Sequence, residues 1–560
     1  MTLDARLALI SGGWRGPALA AFIAFLAGLP GLIAAPPLDR DESRFAQATA
    51  QMLETRDFVV IRYQDEPRFK KPVGIHWLQA ASVSLVSDAA AREIWAYRLP
   101  SLLGAMLAAA ACAWGAAAFF GAPAGLLAGA MLGSSLLLST EAMIAKTDAV
   151  LCGATTLALA ALGRIYAAAR DGPPAPRSAV WLFWVAIGVA TLVKGPVGPL
   201  VAALAIIALA LLDRRPGWLV HMNWWWGLIV VALIVGPWAG AVTVATDGGF
   251  WSQAVGGDLA PKLAGGQESH GAPPGYHTLL TPILAFPMTL LLPAAAVTAW
   301  KRRREPGVRF ALAWLIPTWV MFEAMPTKLV HYPLPTYGAI AWLAAAALVQ
   351  PVGPAARWTG AALGAVVGLL LAAASGYLFS TFGDPSDLPA AVLAAVSMAA
   401  AGLAGAVLVA RDAAGKAVAV AGALTVLGHG ALLAGLAPRL EPLWLSTRIE
   451  AALEKAQLLP RQGIAEAPVA VAGYAEPSLV FALGTATELG TPQAAAQAIV
   501  ENRPAVVESR QQAPFMAALA AAGAGAVQVG EVTGLDYSNG DRMTLRIFEA
   551  PAAGAPGGGR

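Results

Sequence analysis

The chain has 560 residues, of which 58% are hydrophobic and only 13% charged, with a mean hydropathy of +0.62. A soluble domain carries about 25% charged residues, so this composition excludes a water-soluble fold for most of the chain. The net charge of +3 gives no electrostatic case for a nucleic-acid partner.

Arg6 and Arg15 precede a first apolar run, 16–35. A charged segment follows at once, so this run reads as a retained span rather than a cleaved signal peptide. A bilayer crossing needs about 20 apolar residues. About thirteen such runs follow one another, near 16–35, 97–119, 122–140, 147–167, 179–194, 196–212, 224–245, 277–299, 309–324, 333–350, 358–379, 389–410 and 416–437. Cys112 and Cys152 lie inside two of them and read as small apolar side chains.

One alternating set of loops collects the basic residues: Arg164, Arg170 and Arg177; Arg214 and Arg215; Lys301 to Arg304; Arg357; Arg411 and Lys416. By the positive-inside bias these loops are expected to be cytoplasmic. The opposite set, with the segments 36–96 and 246–276 and the tail from 438, is then expected on the periplasmic side.

Segment 36–96 holds 17 of the chain's 71 charged residues. Within it, DESRFAQATAQMLE places Phe45, Ala48, Thr49, Met52 and Leu53 on one helical face, which predicts a helix lying in the membrane interface. A second short helix is expected over 73–87. From 438 the pattern changes. VAVAGY, PAVVES, GAVQVG and MTLRIFEA read as strands, and EPSLVFALG, TPQAAAQAIVEN and QAPFMAALAAAG as helices between them. YSNGD carries the Asn-Gly hairpin signal. The expected architecture is a polytopic α-helical membrane domain over 1–437, a small α/β domain over 438–550, and a disordered tail over 551–560.

The outward loops carry the residues whose chemistry matters. They are Asp41, Glu42 and Arg44; Lys70 and Lys71; Lys146 and Asp148; Lys194; Lys262, His270 and His277; then Lys328, His331 and Tyr332. Each has a bland reading. Asp41 and Glu42 suit a helix start, Lys194 suits a snorkelling turn residue, and Tyr332 suits an interfacial aromatic belt. Ionisable residues at membrane depth are costly and usually functional, however. Cations converging from several segments most simply serve an anionic ligand, phosphate above all. A transporter of a lipid-linked solute is the competing class; it calls for mid-membrane charges and an inverted repeat, and neither stands out in the sequence.

The segment PLDRDESRFAQATAQMLETRDFVVIRYQDEPRFKKPVGIHWLQA, with AKTDAVL, TKLVHYPLP and GLDYSNGDRMTLRIFEA, resembles the bacterial polyprenyl-phosphate-sugar glycosyltransferases of the GT-C fold. That family includes the aminoarabinose transferases of lipid A and the protein O-mannosyltransferases. The resemblance implies an inner-membrane, inverting enzyme with its site and C-terminus on the periplasmic side. Its donor would be a sugar on polyprenyl phosphate (undecaprenyl in bacteria). Its acceptor would be lipid A or another envelope glycolipid, a glycan or a protein. It implies Asp41, Asp148 and Glu42 as catalytic residues, and Lys71, Lys328 and Tyr332, with Arg44 and Lys70, as holders of the lipid phosphate. His270, His277, Lys194, Lys262 and His331 are further candidates. Relatives acting on lipid A often carry an acidic residue where this chain has Lys70, which can join histidines of a later loop in a metal site, so the resemblance allows a divalent metal but Lys70 argues against a structural zinc.

Overall fold

A computed structural model describes residues 10–214, 216–261, 265, 271–463 and 467–551. Arg6, Arg215, Lys262, His270 and the expected tail after residue 551 lie outside them.

Each expected apolar run falls on a helix or on a helix with a break in it. Among the described residues seven helices are long and apolar enough to cross a membrane, among them Arg15–Ala34, Ile94–Phe120, Asp148–Ala168 and Trp224–Ala245. An eighth crossing is available if Tyr276–Leu284 and Met288–Lys301, bent by 111° across the break at 285–287, count as one span. Ser178–Lys194 and Val197–Asp213 are shorter apolar helices joined by a tight turn at Gly195.

Lipid tails are as apolar as leucine, so helices in a bilayer associate through close packing of small residues. Two glycines show this where it matters for the site. A Cβ on Gly104 would lie 2.6 Å from the Val150 Cα, so Ile94–Phe120 meets the start of Asp148–Ala168 backbone to backbone. A Cβ on Gly74 would lie 2.6 Å from the Leu192 carbonyl oxygen, which draws the Lys70-Lys71-Pro72 corner onto the end of Ser178–Lys194.

The outer segment 36–96 folds into the helices Asp41–Thr55 and Gly74–Val86, with a two-residue β-ribbon between them. Asp41–Thr55 differs from the expected interfacial helix. Residues 42–43 and 45–52 are all buried, including Gln47 and Gln51 on the polar side. Tertiary packing explains this. One side meets Gly74–Val86, and the other is covered by the C-terminal helix Pro477–Leu483. Gln47 donates to the Thr485 hydroxyl, and Arg92 donates to Gln47.

The C-terminal domain forms a mixed sheet of five strands: β1 (Ala470–Ala472), β2 (Glu488–Gly490), β3 (Ala505–Glu508), β4 (Val527–Asp536) and β5 (Asp541–Glu549). The spatial order is β2-β1-β3-β5-β4, with β1 parallel to β2 and β3, and β5 antiparallel to β3 and β4. One face packs on Leu445–Lys455 through Ile449 and Leu453, and the other on Pro492–Val500 and Gln512–Ala521 through Ile499 and Phe515. The Asn-Gly turn joins β4 to β5, as expected from YSNGD.

Candidate active site

The site begins at the first turn of Asp41–Thr55. Arg40, its N-cap, has φ 62° and ψ −108°, a conformation that costs a non-glycine residue about 1–3 kcal/mol. Asp41 follows at once. Its neighbour Glu42 lies about 100° further round the helix and points into the protein.

Glu42 is 1% exposed. Its Oε1 accepts from Arg98 Nε (2.8 Å) and the Ala145 amide (2.7 Å), and its Oε2 from Arg98 Nη2 (2.7 Å) and the Leu38 amide (2.8 Å). Arg98 donates further to the carbonyls of Ala35 and Pro36. Glu42 therefore binds three chain segments and has no oxygen left for a substrate, which corrects the expectation that it belongs with the catalytic carboxylates.

A second group of charges gathers at the start of Asp148–Ala168. The Asp148 carboxylate accepts from Lys194 Nζ at 2.5 Å, with Lys146 Nζ at 3.8 Å and His331 Nε2 at 3.6 Å. Lys146 Nζ is 3.0 Å from Glu141 Oε1 and 3.2 Å from His331 Nδ1. The positive end of the Asp148–Ala168 dipole adds to the field on Asp148. The Lys194 ammonium also lies over the Tyr332 ring, 5.6 Å from its centroid.

Lys146, Asp148, Lys194, His331 and Tyr332 line a polar chamber of about 100 Å³ together with Asp41, Arg44, Arg68, Lys70 and Lys71, and Glu141 lies behind Lys146. Arg68 stacks over Phe45, and Lys71 Nζ pairs with Asp258 at 3.2 Å. An apolar groove of about 390 Å³ adjoins the chamber, lined by Leu151, Leu200, Phe250, Trp251, Met321 and Phe322. The two cavities share Lys70, Lys71, Asp148, Lys194 and Tyr332.

Asp41, Arg44, Lys70, Lys71, Asp148, Lys194, His331 and Tyr332 thus come together as expected. Two others do not. Lys328 is 3% exposed, and its ammonium donates to the Met325 carbonyl instead of lining the chamber. Residues 326–333 are not helical: Thr327 pairs in an isolated β-bridge with Gly271 and only 330–333 form a turn, so Lys328 and Tyr332 do not share the face that an i, i+4 spacing would give. His277 is 1% exposed, with its ring edge-on to Tyr276, and is absent from the chamber lining.

Three residues of the constellation escape sequence reasoning: Glu141, Arg68 and Asp258. For Glu141 a signal was available, a carboxylate closing an apolar run, which is costly unless paired. Arg68 and Asp258 sit in ordinary polar segments, and only the fold selects them.

Glu141, Asp148 and His331 offer ligand atoms within 4.8 Å of one another. Lys146 already contacts all three side chains, and Lys194 binds Asp148. A dication there would enter against two ammonium charges, so this donor set fits a lysine-neutralised carboxylate pair better than a metal.

Residues 70–240 match the family described as dolichyl-phosphate-mannose-protein mannosyltransferase. The undecaprenyl phosphate-alpha-4-amino-4-deoxy-L-arabinose arabinosyl transferase of Aeromonas salmonicida is 28% identical over 56% of this chain and 57% of its own length. The protein of the same name from Pectobacterium carotovorum is 27% identical over 60% of each chain. The chain thus spans less than two thirds of the length of these relatives. The crystal structure of ArnT from Cupriavidus metallidurans in the apo state superposes with a TM-score of 0.74 at 22% identity, over 94% of this chain and 97% of that one. The same protein bound to undecaprenyl phosphate gives 0.74 at 21% identity, over 99% and 100%. The comparisons bear out the resemblance drawn from the motifs. The chain has the fold of these proteins, a polytopic helical membrane domain with a C-terminal mixed-sheet domain.

Proposed function

We propose that this chain is an inverting glycosyltransferase that moves a sugar from an undecaprenyl-phosphate donor to a lipid A-type acceptor, on the periplasmic face of the bacterial inner membrane. One observation carries the reading: a cationic chamber adjoins an apolar groove, and the two share three lysines, a tyrosine and Asp148. A phosphate on a long apolar chain is the ligand such a pair of cavities suits. The names of the relatives, and the undecaprenyl phosphate in the similar crystal structure, support the same ligand.

In this reading Lys71, Lys70 and Lys194 hold the lipid phosphate, with the Tyr332 hydroxyl as a further donor and Arg44 at the chamber wall. The anomeric carbon sits towards Asp41. An acceptor oxygen attacks that carbon, the bond to the phosphate oxygen breaks in the same displacement, and Asp41 takes the acceptor proton. The departing phosphate gains charge as the bond breaks, so fixed cations stabilise the transition state more than the ground state. Asp148 holds Lys194 and Lys146 in place. The basic loops and the positive-inside bias support the periplasmic orientation.

Purified full-length chain, supplied with undecaprenyl-phosphate-4-amino-4-deoxyarabinose and lipid A, tests the reading by mass spectrometry. The expected result is lipid A heavier by one aminopentose, lost in Asp41→Asn. Binding of undecaprenyl phosphate without transfer to any envelope acceptor would overturn it. The match over residues 70–240 favours a protein acceptor as the second reading; sugar found on an envelope protein while lipid A stays unchanged would select it.

A further inference from the structure

Asp41 follows a residue in a costly backbone conformation, and that conformation is held from outside the membrane domain. The Asp39 amide donates to the Tyr537 hydroxyl at 2.8 Å. The Arg40 guanidinium donates to the Ser538 carbonyl at 2.8 Å. The Ser478 hydroxyl donates to the Asp39 carboxylate. All three partners belong to the C-terminal domain, and two of them are the tip of the β4–β5 hairpin.

The tip is itself anchored. The Ser538 hydroxyl lies 2.5 Å from both Asp536 Oδ1 and Glu476 Oε1, and the Tyr537 ring packs edge-on against Trp444. Further along β4, a Cβ on Gly534 would lie 2.4 Å from the Pro442 carbonyl oxygen, so the hairpin is pressed onto the link from the last apolar helix. Asp39 faces Ser478, Glu476, Asp536 and Tyr537 of the C-terminal domain. Burial first, then the carboxylates of Glu476 and Asp536, push its carboxyl up to about 7. A carboxyl so raised fits a contact held inside a docked interface.

We propose that Tyr537 and Ser538 are positioning residues for Asp41: the hairpin tip grips the chain one and two residues ahead of it, holds Arg40 at positive φ, and so sets where the Asp41 carboxylate stands in the chamber. The inference rests on the assignment of Asp41 to the reacting carbon. It gives the C-terminal domain a part in the chemistry.

Tyr537→Phe removes the hydroxyl and keeps the ring on Trp444, so folding is preserved. Three quantities are read on the full chain: kcat with undecaprenyl-phosphate-4-amino-4-deoxyarabinose and lipid A, the Kd for undecaprenyl phosphate, and deuterium uptake at the amides of residues 39–42. A small misplacement of a reacting group lowers turnover without touching the binding subsite. The expected result is a fall in kcat of about tenfold, an unchanged Kd and faster uptake at residues 39–42. Ser538→Pro, which distorts the turn carbonyl that Arg40 uses, should act in the same direction. Wild-type kcat and uptake in Tyr537→Phe would overturn the proposal. So would a fall in kcat matched by weaker Kd and a lower unfolding midpoint, which marks a general loosening. If wild-type chain transfers no sugar, the reading of the site fails separately, and the deuterium uptake still decides whether the hairpin holds this segment.

Discussion

Two carboxylates sit at opposite ends of the membrane domain, each among basic side chains, and they do different work. Asp213, on the side of the basic loops, accepts from Arg170 at 2.6 Å, from the Tyr166 hydroxyl at 2.7 Å and from Arg309. Its partners are two planar guanidinium forks, which lock geometry. Asp148 is served by Lys194 and Lys146, point charges on flexible stems, and it borders an open chamber. A saturated carboxylate with arginines is a fastener. A carboxylate with lysines beside a cavity leaves ammonium hydrogens for another anion. Burial and charge alone do not separate the two; partner type and adjoining space do.

Mutation can break this contrast. The largest effect is expected from Asp148→Asn and Asp41→Asn, each lowering kcat by about 10²–10⁴-fold. Asp213→Asn should leave kcat per folded molecule within about twofold while lowering the unfolding midpoint, since a fastener acts on stability. Equal losses of kcat in Asp148→Asn and Asp213→Asn, measured on folded protein, would erase the distinction.

Glu42 extends the contrast, being saturated like Asp213 although adjacent to Asp41. Glu42→Gln leaves Arg98 buried with a neutral partner, and losing one member of a buried pair costs about 3–5 kcal/mol. Thermal unfolding should show it, and the surviving folded fraction should keep its affinity for undecaprenyl phosphate.

On the lysine side, Lys71→Met should weaken undecaprenyl phosphate binding by about tenfold or more, the value of one charge-assisted hydrogen bond. Lys328→Met should not, because its ammonium serves the Met325 carbonyl. Comparable losses in the two would return Lys328 to the chamber.

The smallest effect concerns pH. Asp39 is raised to about 7, by burial first and then by Glu476 and Asp536, from an ordinary 3.8. The folded chain therefore holds that proton more tightly than the unfolded chain. The resulting stability is full below about pH 4 and is lost as pH rises through 7. The unfolding midpoint should fall between pH 5 and pH 8, and Asp39→Asn should flatten part of that slope. An unaltered slope in the variant would mean that Asp39 is not the group responsible.

Much of the architecture was legible because lipid imposes a strong rule. An apolar run of bilayer length has no choice but to be helical, so the positions of the spans followed from hydropathy. The alternating strands and the Asn-Gly turn of the C-terminal domain were equally local signals. Asp41, Lys71, Asp148 and Tyr332 stood out because a charge or a polar tip beside an apolar run is costly, and AKTDAVL and TKLVHYPLP carry that mark openly.

Other features depended on what lies across space. Asp41–Thr55 has an amphipathic pattern, yet its polar side is covered by Pro477–Leu483, more than four hundred residues away. Glu42 and Asp41 are adjacent and chemically alike. One turns to Arg98 and the other to the chamber, because successive helical residues face different directions. Lys328 and Tyr332 have helical spacing in a segment that is not a helix. The sequence alone therefore determined that this is a polytopic membrane protein with costly polar residues on one side. Which of those residues meet was decided by close approaches at Gly74 and Gly104 and by the docked C-terminal hairpin, since packing at that range depends on backbone shape that local residue patterns do not encode.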